Sequence, residues 1–488
     1  MPKTSKNNFI FRLFWAAFSS LVITQAADAQ DIDVANFTIK PFTFVANDGQ
    51  QVVAERGALL APENRANPES RMIPIDFIRF KSTSSNPASP IVYLAGGPGG
   101  SGISIAKRGL EFFTDLTAVA DVIVFDQRGT GEGAMPCPDA IPLPVNRVVD
   151  YDEVLRIVAE QSLACKKHWQ DKGYDLNGYT TAESAHDVDQ LRKALKIKKI
   201  NLLGASYGSH YALAIMKLHE DSVDRVVIAG IEGLDNTLKL PSAYDKHFDD
   251  INTLIQEDLE LSAKIPDLTK MFRGVLNRLE EKPEIVTIVD GGSGKNVDVH
   301  LGKFDVQLQV WGASGRNSAS APVPAMIYKM HQGDFEAVAQ RTYQFKTGAL
   351  RLSAMTVMMD GASGGSKTRL ARIATDAEGS LFGNVVNFLF PEIGIAWNAP
   401  DLGEKFRAPL RSDLPVLIIS GTMDARTPIE NGDEAARGLP NSQHLIVTGV
   451  GHPPSFDDRK DEVINFLKGE KLSALVIKGP DVEFNTID

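Results

Sequence analysis

Short apolar runs recur along this chain, and each ends in a polar or glycine-rich turn. The runs at 91–95, 122–126, 200–203, 225–230, 415–421 and 444–448 are four to seven residues long and rich in Val, Ile and Leu. Continuous rather than alternating hydrophobicity predicts strands buried on both faces, as in a parallel sheet. Between them lie helical patterns. Thr180 to Glu183 reads as a capping box, and Ala185, Val188, Leu191 and Leu195 then mark one helix face. Residues 31–90 differ, with alternating runs at 51–60 and 72–80 around a Pro/Asn-rich turn, which predicts an antiparallel start to the sheet.

The strand–helix alternation fails from 236 to 408. There 244–282 reads as amphipathic helix, 284–289 and 297–301 as a hairpin, and 324–348 and 366–375 as further helices. The Gly-Ser-Gly-Lys of that hairpin is not a phosphate loop, because Val289 stands at the first glycine position and Asn296 at the Ser/Thr position. The alternation then resumes, with a closing helix near 458–468 and a short strand at 475–478. The expected fold class is α/β, a mostly parallel sheet with helices on both faces and a large, mainly helical insertion. The expected domain organisation is a signal peptide at 1–29, the first part of the core at 30–235, a cap at 236–408 and the second part of the core at 409–488.

The signal peptide is read from Lys3, Lys6 and Arg12, an apolar run at 13–23 and a small-x-small site at Ala27-Asp28-Ala29. It predicts an exported protein, periplasmic or secreted, with no stable membrane insertion after cleavage. In an oxidising compartment Cys137 and Cys165, the sole cysteine pair, are expected to bond. A net charge of −11 argues against a nucleic-acid partner. No cysteine–histidine cluster has zinc-binding spacing, and neither a metal nor a cofactor is expected.

The candidate chemistry lies where strands end. The strand at 200–203 runs into Gly204-Ala205-Ser206-Tyr207-Gly208 and then an apolar helix, the G-x-S-x-G context that lifts a serine hydroxyl clear of a sheet. Asp424 follows the strand at 415–421, and His452 follows the strand at 444–448. A serine is a weak nucleophile until a histidine takes its proton, and that histidine needs a carboxylate to fix its tautomer. Ser206, Asp424 and His452 are therefore the candidate catalytic set. The histidines at 168, 186, 210 and 219 lie on predicted helices, and those at 247, 300 and 331 in the insertion.

The glycine-rich turn Gly96 to Gly102 admits three readings: an oxyanion loop, a dinucleotide fingerprint with Asp126 as the ribose contact, and a plain loop. Pro98 inside the turn and some ninety residues ahead of the strand weigh against the fingerprint. On the oxyanion reading the donors are the N–H of Tyr207 with Gly96 and Gly97. Arg128 reads as a structural arginine and Asp187 as a structural hydrogen-bonding residue. Glu232 and Asp235 follow the strand at 225–230 and are the candidate substrate-binding acids, Glu232 foremost.

With these residues in place the chain resembles the α/β-hydrolase family and, more narrowly, the exported prolyl iminopeptidase and tripeptidyl aminopeptidase group of serine peptidases. The resemblance is carried by Gly96 to Gly102, Asp126-Gln127-Arg128-Gly129, Gly204 to Gly208, Ser420 to Asp424 with Thr427-Pro428, and Gly451-His452. It implies Ser206 as nucleophile, Asp424 and His452 as its partners and the glycine loop as oxyanion site. The chain departs from that group at Ala95, where a histidine is usual, and at 357–360 and 395–397, where relatives carry cysteines. The implied activity is release of N-terminal residues or short peptides through an acyl-enzyme. The alternative is a carboxylesterase acting on small or aryl esters, and a third reading is a non-catalytic binding protein on the same scaffold. Serine at the nucleophile position disfavours epoxide hydrolase or dehalogenase chemistry.

Overall fold

The structure is a computed structural model and describes residues 32–34, 36–315 and 320–487. The expected signal peptide lies outside the described residues. The main sheet has eleven strands: β1 (Ile32–Val34), β2 (Phe37–Val45), β3 (Gln51–Pro62), β4 (Met72–Phe80), β5 (Ile91–Leu94), β6 (Val122–Phe125), β7 (Ile200–Ser206), β8 (Val223–Ile231), β11 (Val416–Gly421), β12 (Ser442–Thr448) and β13 (Val476–Lys478). The hairpin β9 (Glu284–Val289) and β10 (Asn296–Leu301) forms a separate two-stranded sheet. The order in the main sheet is β1-β2-β3-β4-β6-β5-β7-β8-β11-β12-β13. Pairing is antiparallel from β1 through β4 to β6 and parallel from β6 to β13.

The switch follows from the patterns. β5, β6 and β11 are buried at every position, whereas β2 to β4 alternate between buried and exposed positions along much of their length. Within the parallel part, neighbouring residues go to opposite faces. Val92, Leu202, Ile228 and Ile418 join one apolar cluster, while Tyr93, Leu203, Val227 and Ile419 join the other.

The insertion is not one body. Tyr244, Phe248, Phe272, Val310, Ile327 and their neighbours form a third apolar cluster. The helix Ala354–Ser363, with Leu389, Ile393, Trp397 and Phe406, instead packs into the core cluster. Trp397 donates from Nε1 to Ser162 Oγ at 2.8 Å. Ser162 lies on the helix Tyr151–Asp171, which is also bonded through Cys165 to Cys137. The tail, which has no functional reading in the sequence, links sheet to insertion. After β13 it continues to Asn485, whose N–H donates to Ala321 O at 3.0 Å, and Ile487 joins the insertion's cluster.

Two structural side chains behave as expected, and one motif departs. Arg128 is buried and meets Asp187 through two bonds of 2.8 and 2.7 Å, and it also donates to the carbonyls of Glu63 and Gly178. The capping box is only half formed. Thr180 Oγ1 accepts from Glu183 N at 3.2 Å, but the Glu183 carboxylate turns to Arg65 at 2.6 Å, a charge-assisted bond stronger than a return to the cap.

Candidate active site

Ser206 stands at the sharp turn from β7 into the helix Tyr207–His219, with φ 57° and ψ −130°. Positive φ at a residue with a side chain is strained and persists only where its surroundings impose it. Packing imposes it here. A Cβ on Gly204 would stand 2.2 Å from Gly208 O, and one on Gly208 would stand 2.2 Å from Leu94 O. The G-x-S-x-G spacing is thus a requirement for three backbone segments to pass in contact, with the serine raised between them.

The structure brings Ser206, His452 and Asp424 together. Ser206 Oγ lies 2.9 Å from His452 Nε2, and His452 Nδ1 lies 2.9 Å from Asp424 Oδ2. Asp424 and His452 are buried, at 4% and 9% exposure, while Ser206 is partly open. The carboxylate facing Nδ1 places the imidazole proton there, which leaves Nε2 to accept from the serine hydroxyl. Asp424 is itself fixed. Its Oδ1 accepts from Arg426 N at 2.9 Å and Thr427 N at 2.8 Å. Thr427 Oγ1 donates to Asp424 Oδ2 at 2.6 Å and lies 2.9 Å from His452 Nδ1. Thr427 is therefore a fourth member of the network, which the sequence marks only through Thr427-Pro428.

The candidate oxyanion donors flank the serine. Tyr207 begins the helix, where an N–H has no partner within its own helix. A Cβ on Gly96 would stand 2.9 Å from Ala205 O and 3.4 Å from Ser206 Cβ, so the glycine loop touches the nucleophile turn. Gly97 follows in the left-handed region, and Gly100 N donates to Gly96 O at 3.0 Å. Asp126 is occupied by Ser101 Oγ at 2.6 Å and Ile103 N at 3.2 Å, so it holds the start of the following helix and leaves the dinucleotide reading without its acid.

Both expected substrate acids are engaged by protein partners. The Glu232 carboxylate is buried and paired with Lys239 Nζ at 2.6 Å, and its backbone N–H donates to Ser209 Oγ at 2.8 Å. The Asp235 carboxylate accepts from Ser366 N and Ser366 Oγ, both at 2.6 Å. Asp235 thus holds the N-terminus of the helix Lys367–Ala377 and is not brought to the triad. Sequence reasoning missed Asp360. It lies on the helix Ala354–Ser363, one turn beyond Thr356, and Thr356 Oγ1 donates to Pro98 O of the glycine loop at 3.3 Å. Positions four apart share a helix face, so Asp360 lies on the face that touches the loop.

A cavity of about 170 Å³ is lined by Lys239, Tyr244, Trp311, Asp360, Phe388 and Arg426 among others, and Arg426 ties it to the loop that carries Asp424. Asp360 lies deep in the molecule yet is partly exposed, so its open surface faces this cavity. Among the described residues it makes no side-chain hydrogen bond or ion pair. Burial, reinforced by the Glu232 carboxylate, holds its carboxyl well above the usual range despite Lys239 and Arg426 nearby. Burial also draws Lys239 down, against the pull of Glu232. Arg426 lies two residues past Asp424, with its guanidinium over the Trp311 ring at 5.9 Å. Among the described residues, the cavity therefore presents an acid and a guanidinium that make no side-chain hydrogen bond or ion pair, between aromatic walls. Among the described residues no group of three or more His, Cys, Asp or Glu is arranged to hold a metal ion.

Residues 89–459 match the family profile described as alpha/beta hydrolase fold. A tripeptidyl aminopeptidase of Streptomyces lividans is 29% identical over 190 residues, which cover 36% of this chain and 35% of that protein. A proline iminopeptidase of Arabidopsis thaliana is 24% identical over 195 residues, covering 40% of each chain. A solved structure from Mycobacterium tuberculosis aligns at 16% identity and a TM-score of 0.40, covering 85% of this chain and 100% of that one. The matches to the two named peptidases span less than half of each relative's length.

Proposed function

The chain belongs to the α/β-hydrolase fold family, and from that premise we propose that it is an exported serine aminopeptidase. The observation that carries the hydrolase reading is the unbroken path Ser206 Oγ to His452 Nε2, His452 Nδ1 to Asp424, with both contacts at 2.9 Å. In this reading His452 takes the Ser206 proton as Oγ attacks the scissile carbonyl. The oxyanion forms toward Tyr207 N–H and the Gly96–Gly97 turn. His452, now an imidazolium held by Asp424, gives its proton to the leaving amine. Water then attacks the acyl-enzyme by the same route in reverse.

The exopeptidase half of the proposal rests on the cavity. A peptide's N-terminus presents an ammonium, and the cavity offers the Asp360 carboxyl to hold it. The peptidase names of the two relatives agree with this. Export is supported by the Cys137–Cys165 disulfide, which persists in oxidising compartments. One observation favours a carboxylesterase instead: the Glu232 carboxylate is already paired with Lys239.

Steady-state kinetics on aminoacyl and tripeptidyl arylamides, free and N-blocked, against short-chain aryl esters decides between them, with Ser206→Ala as control. Hydrolysis of free-amine amides that is lost on blocking is the expected result. Activity on esters alone would replace the peptidase reading.

A further inference from the structure

The insertion reaches the catalytic histidine through the backbone. His452 N–H donates to the carbonyl of Gly315 at 2.9 Å. Gly315 lies just past the helix Lys303–Ala313, at φ 73°, and a Cβ there would stand 3.0 Å from Ala425 Cβ. A single residue of the insertion thus rests on both partner loops, beside Asp424 in one and on His452 in the other. Met423 and Ala425, which flank Asp424, are members of the insertion's own apolar cluster.

Gly315 is itself held from behind. Its N–H donates to His247 Nε2 at 3.2 Å and to Ser320 Oγ at 3.1 Å, and Ser320 Oγ lies 3.4 Å from the same ring nitrogen. His247 sits on the helix Pro241–Glu257 at 3% exposure. To accept at Nε2 its proton must sit on Nδ1, and Nδ1 is buried without a partner among the described residues. Leaving a buried N–H unsatisfied is costly, because it gives up its bond to water and gains none in return. A side chain that only filled space would do so better as an apolar residue. What the imidazole adds is the acceptor for Gly315.

We propose that His247 and Gly315 are positioning residues, a relay from the insertion that sets where His452 stands relative to Ser206. The proposal rests on the reading of His452 as general base. Neither residue touches substrate. The loop between β12 and Pro453 carries the base, and a loop keeps one position only where hydrogen bonds hold it. The Gly315 carbonyl supplies that bond at the histidine itself, and a displacement of about 1 Å in such a site costs on the order of 100-fold in rate. Burial draws the His247 imidazole down to about 4, against Asp250 on its own helix and Asp424 on the acid loop and in concert with Lys246. It is therefore neutral, and able to accept, above that pH.

The test is the rate at which a small fluorophosphonate labels Ser206, read per site that finally labels, together with kcat and KM. His247→Phe keeps a ring but no acceptor, whereas His247→Gln can present its amide oxygen to Gly315. The expected result is labelling slowed about 10- to 100-fold in His247→Phe, with kcat falling in parallel, KM within about twofold of wild type, and most of the rate restored in His247→Gln. Gly315→Ala, strained and crowded against Ala425, is expected to slow labelling by about tenfold or more and serves where His247→Phe does not fold. A purely structural role would lower the final fraction labelled but leave the rate per site at the wild-type value, and that result overturns the proposal. Equal slowing in Phe and Gln variants overturns it as well, since ring shape and not the acceptor would then matter. His452→Ala separates the premise: if it labels at the wild-type rate, His452 is not the base.

Discussion

The triad and the cavity beside it are built to opposite rules. Asp424 receives two backbone N–H groups, the Thr427 hydroxyl and the His452 ring, so both its oxygens are occupied before any substrate arrives. Asp360 and the Arg426 guanidinium make no side-chain hydrogen bond or ion pair among the described residues. An unpaired buried polar group costs about 1–3 kcal/mol, which evolution tolerates where a ligand supplies the missing partner. The difference teaches a division of labour. The catalytic set is preorganised, whereas on the proposed function the choice of substrate is left to groups that the fold leaves unsatisfied.

The sharpest way to break this comparison is to cut the preorganised side. Ser206→Ala is expected to lower kcat by about 10⁶-fold and Asp424→Asn by about 10⁴-fold, both at near-wild-type melting temperature. Mild losses would mean that the network is ornamental. Next in size is the scaffold behind it. Arg128→Ala removes the bidentate partner of buried Asp187, which keeps Arg65 at 2.7 Å, and is expected to cost about 1–3 kcal/mol in urea unfolding. Replacing Cys137 and Cys165 by serine releases a cross-link spanning 28 residues and is expected to cost about 3 kcal/mol.

The cavity side predicts smaller effects of a different kind. Asp360→Asn is expected to raise KM for free-amine arylamides by about tenfold, the loss of one charge-assisted contact, and to leave N-blocked esters unchanged. Its stability effect has a definite sign. The folded carboxyl titrates above its ordinary value, so it binds a proton that the unfolded chain has already released. Its contribution to stability is present below the ordinary carboxylate range and is lost as pH rises through the raised folded value. Asp360→Asn therefore matches wild type in acid and becomes the more stable of the two as pH rises, which urea midpoints at pH 4 and pH 7.5 would reveal. A variant less stable at neutral pH would mean that Asp360 is a structural acid.

The same division decides what the sequence discloses. Ser206, Asp424 and His452 each follow an apolar strand directly, and a parallel sheet delivers such loops to one edge, so local patterns were sufficient to find them. Gly204 and Gly208 are legible because close backbone approach admits no other residue. The surroundings of the candidate substrate acids were not legible. Glu232 stands at a strand end as expected, but its partner Lys239 comes seven residues later across an irregular turn, and no periodicity signals that bond. Asp360 belongs to a helix of the insertion whose contact with the glycine loop spans more than 250 residues of chain. The available signal was a single acid in the mostly apolar stretch 354–362, four positions after Thr356. The insertion's split between two apolar clusters was hidden for a related reason: amphipathic helices announce a buried face but not which body buries it.

One measurement joins both halves: kcat/KM for a free-amine arylamide relative to its N-blocked counterpart, in wild type and Asp360→Asn, alongside the rate of fluorophosphonate labelling at Ser206. A preorganised triad served by a separate recognition cavity requires a large ratio in wild type, a ratio reduced about tenfold in the variant, and labelling rates that agree. A wild-type ratio near one, or a variant that labels as slowly as it cleaves, would contradict it, because amine recognition would then be absent or inseparable from the chemistry.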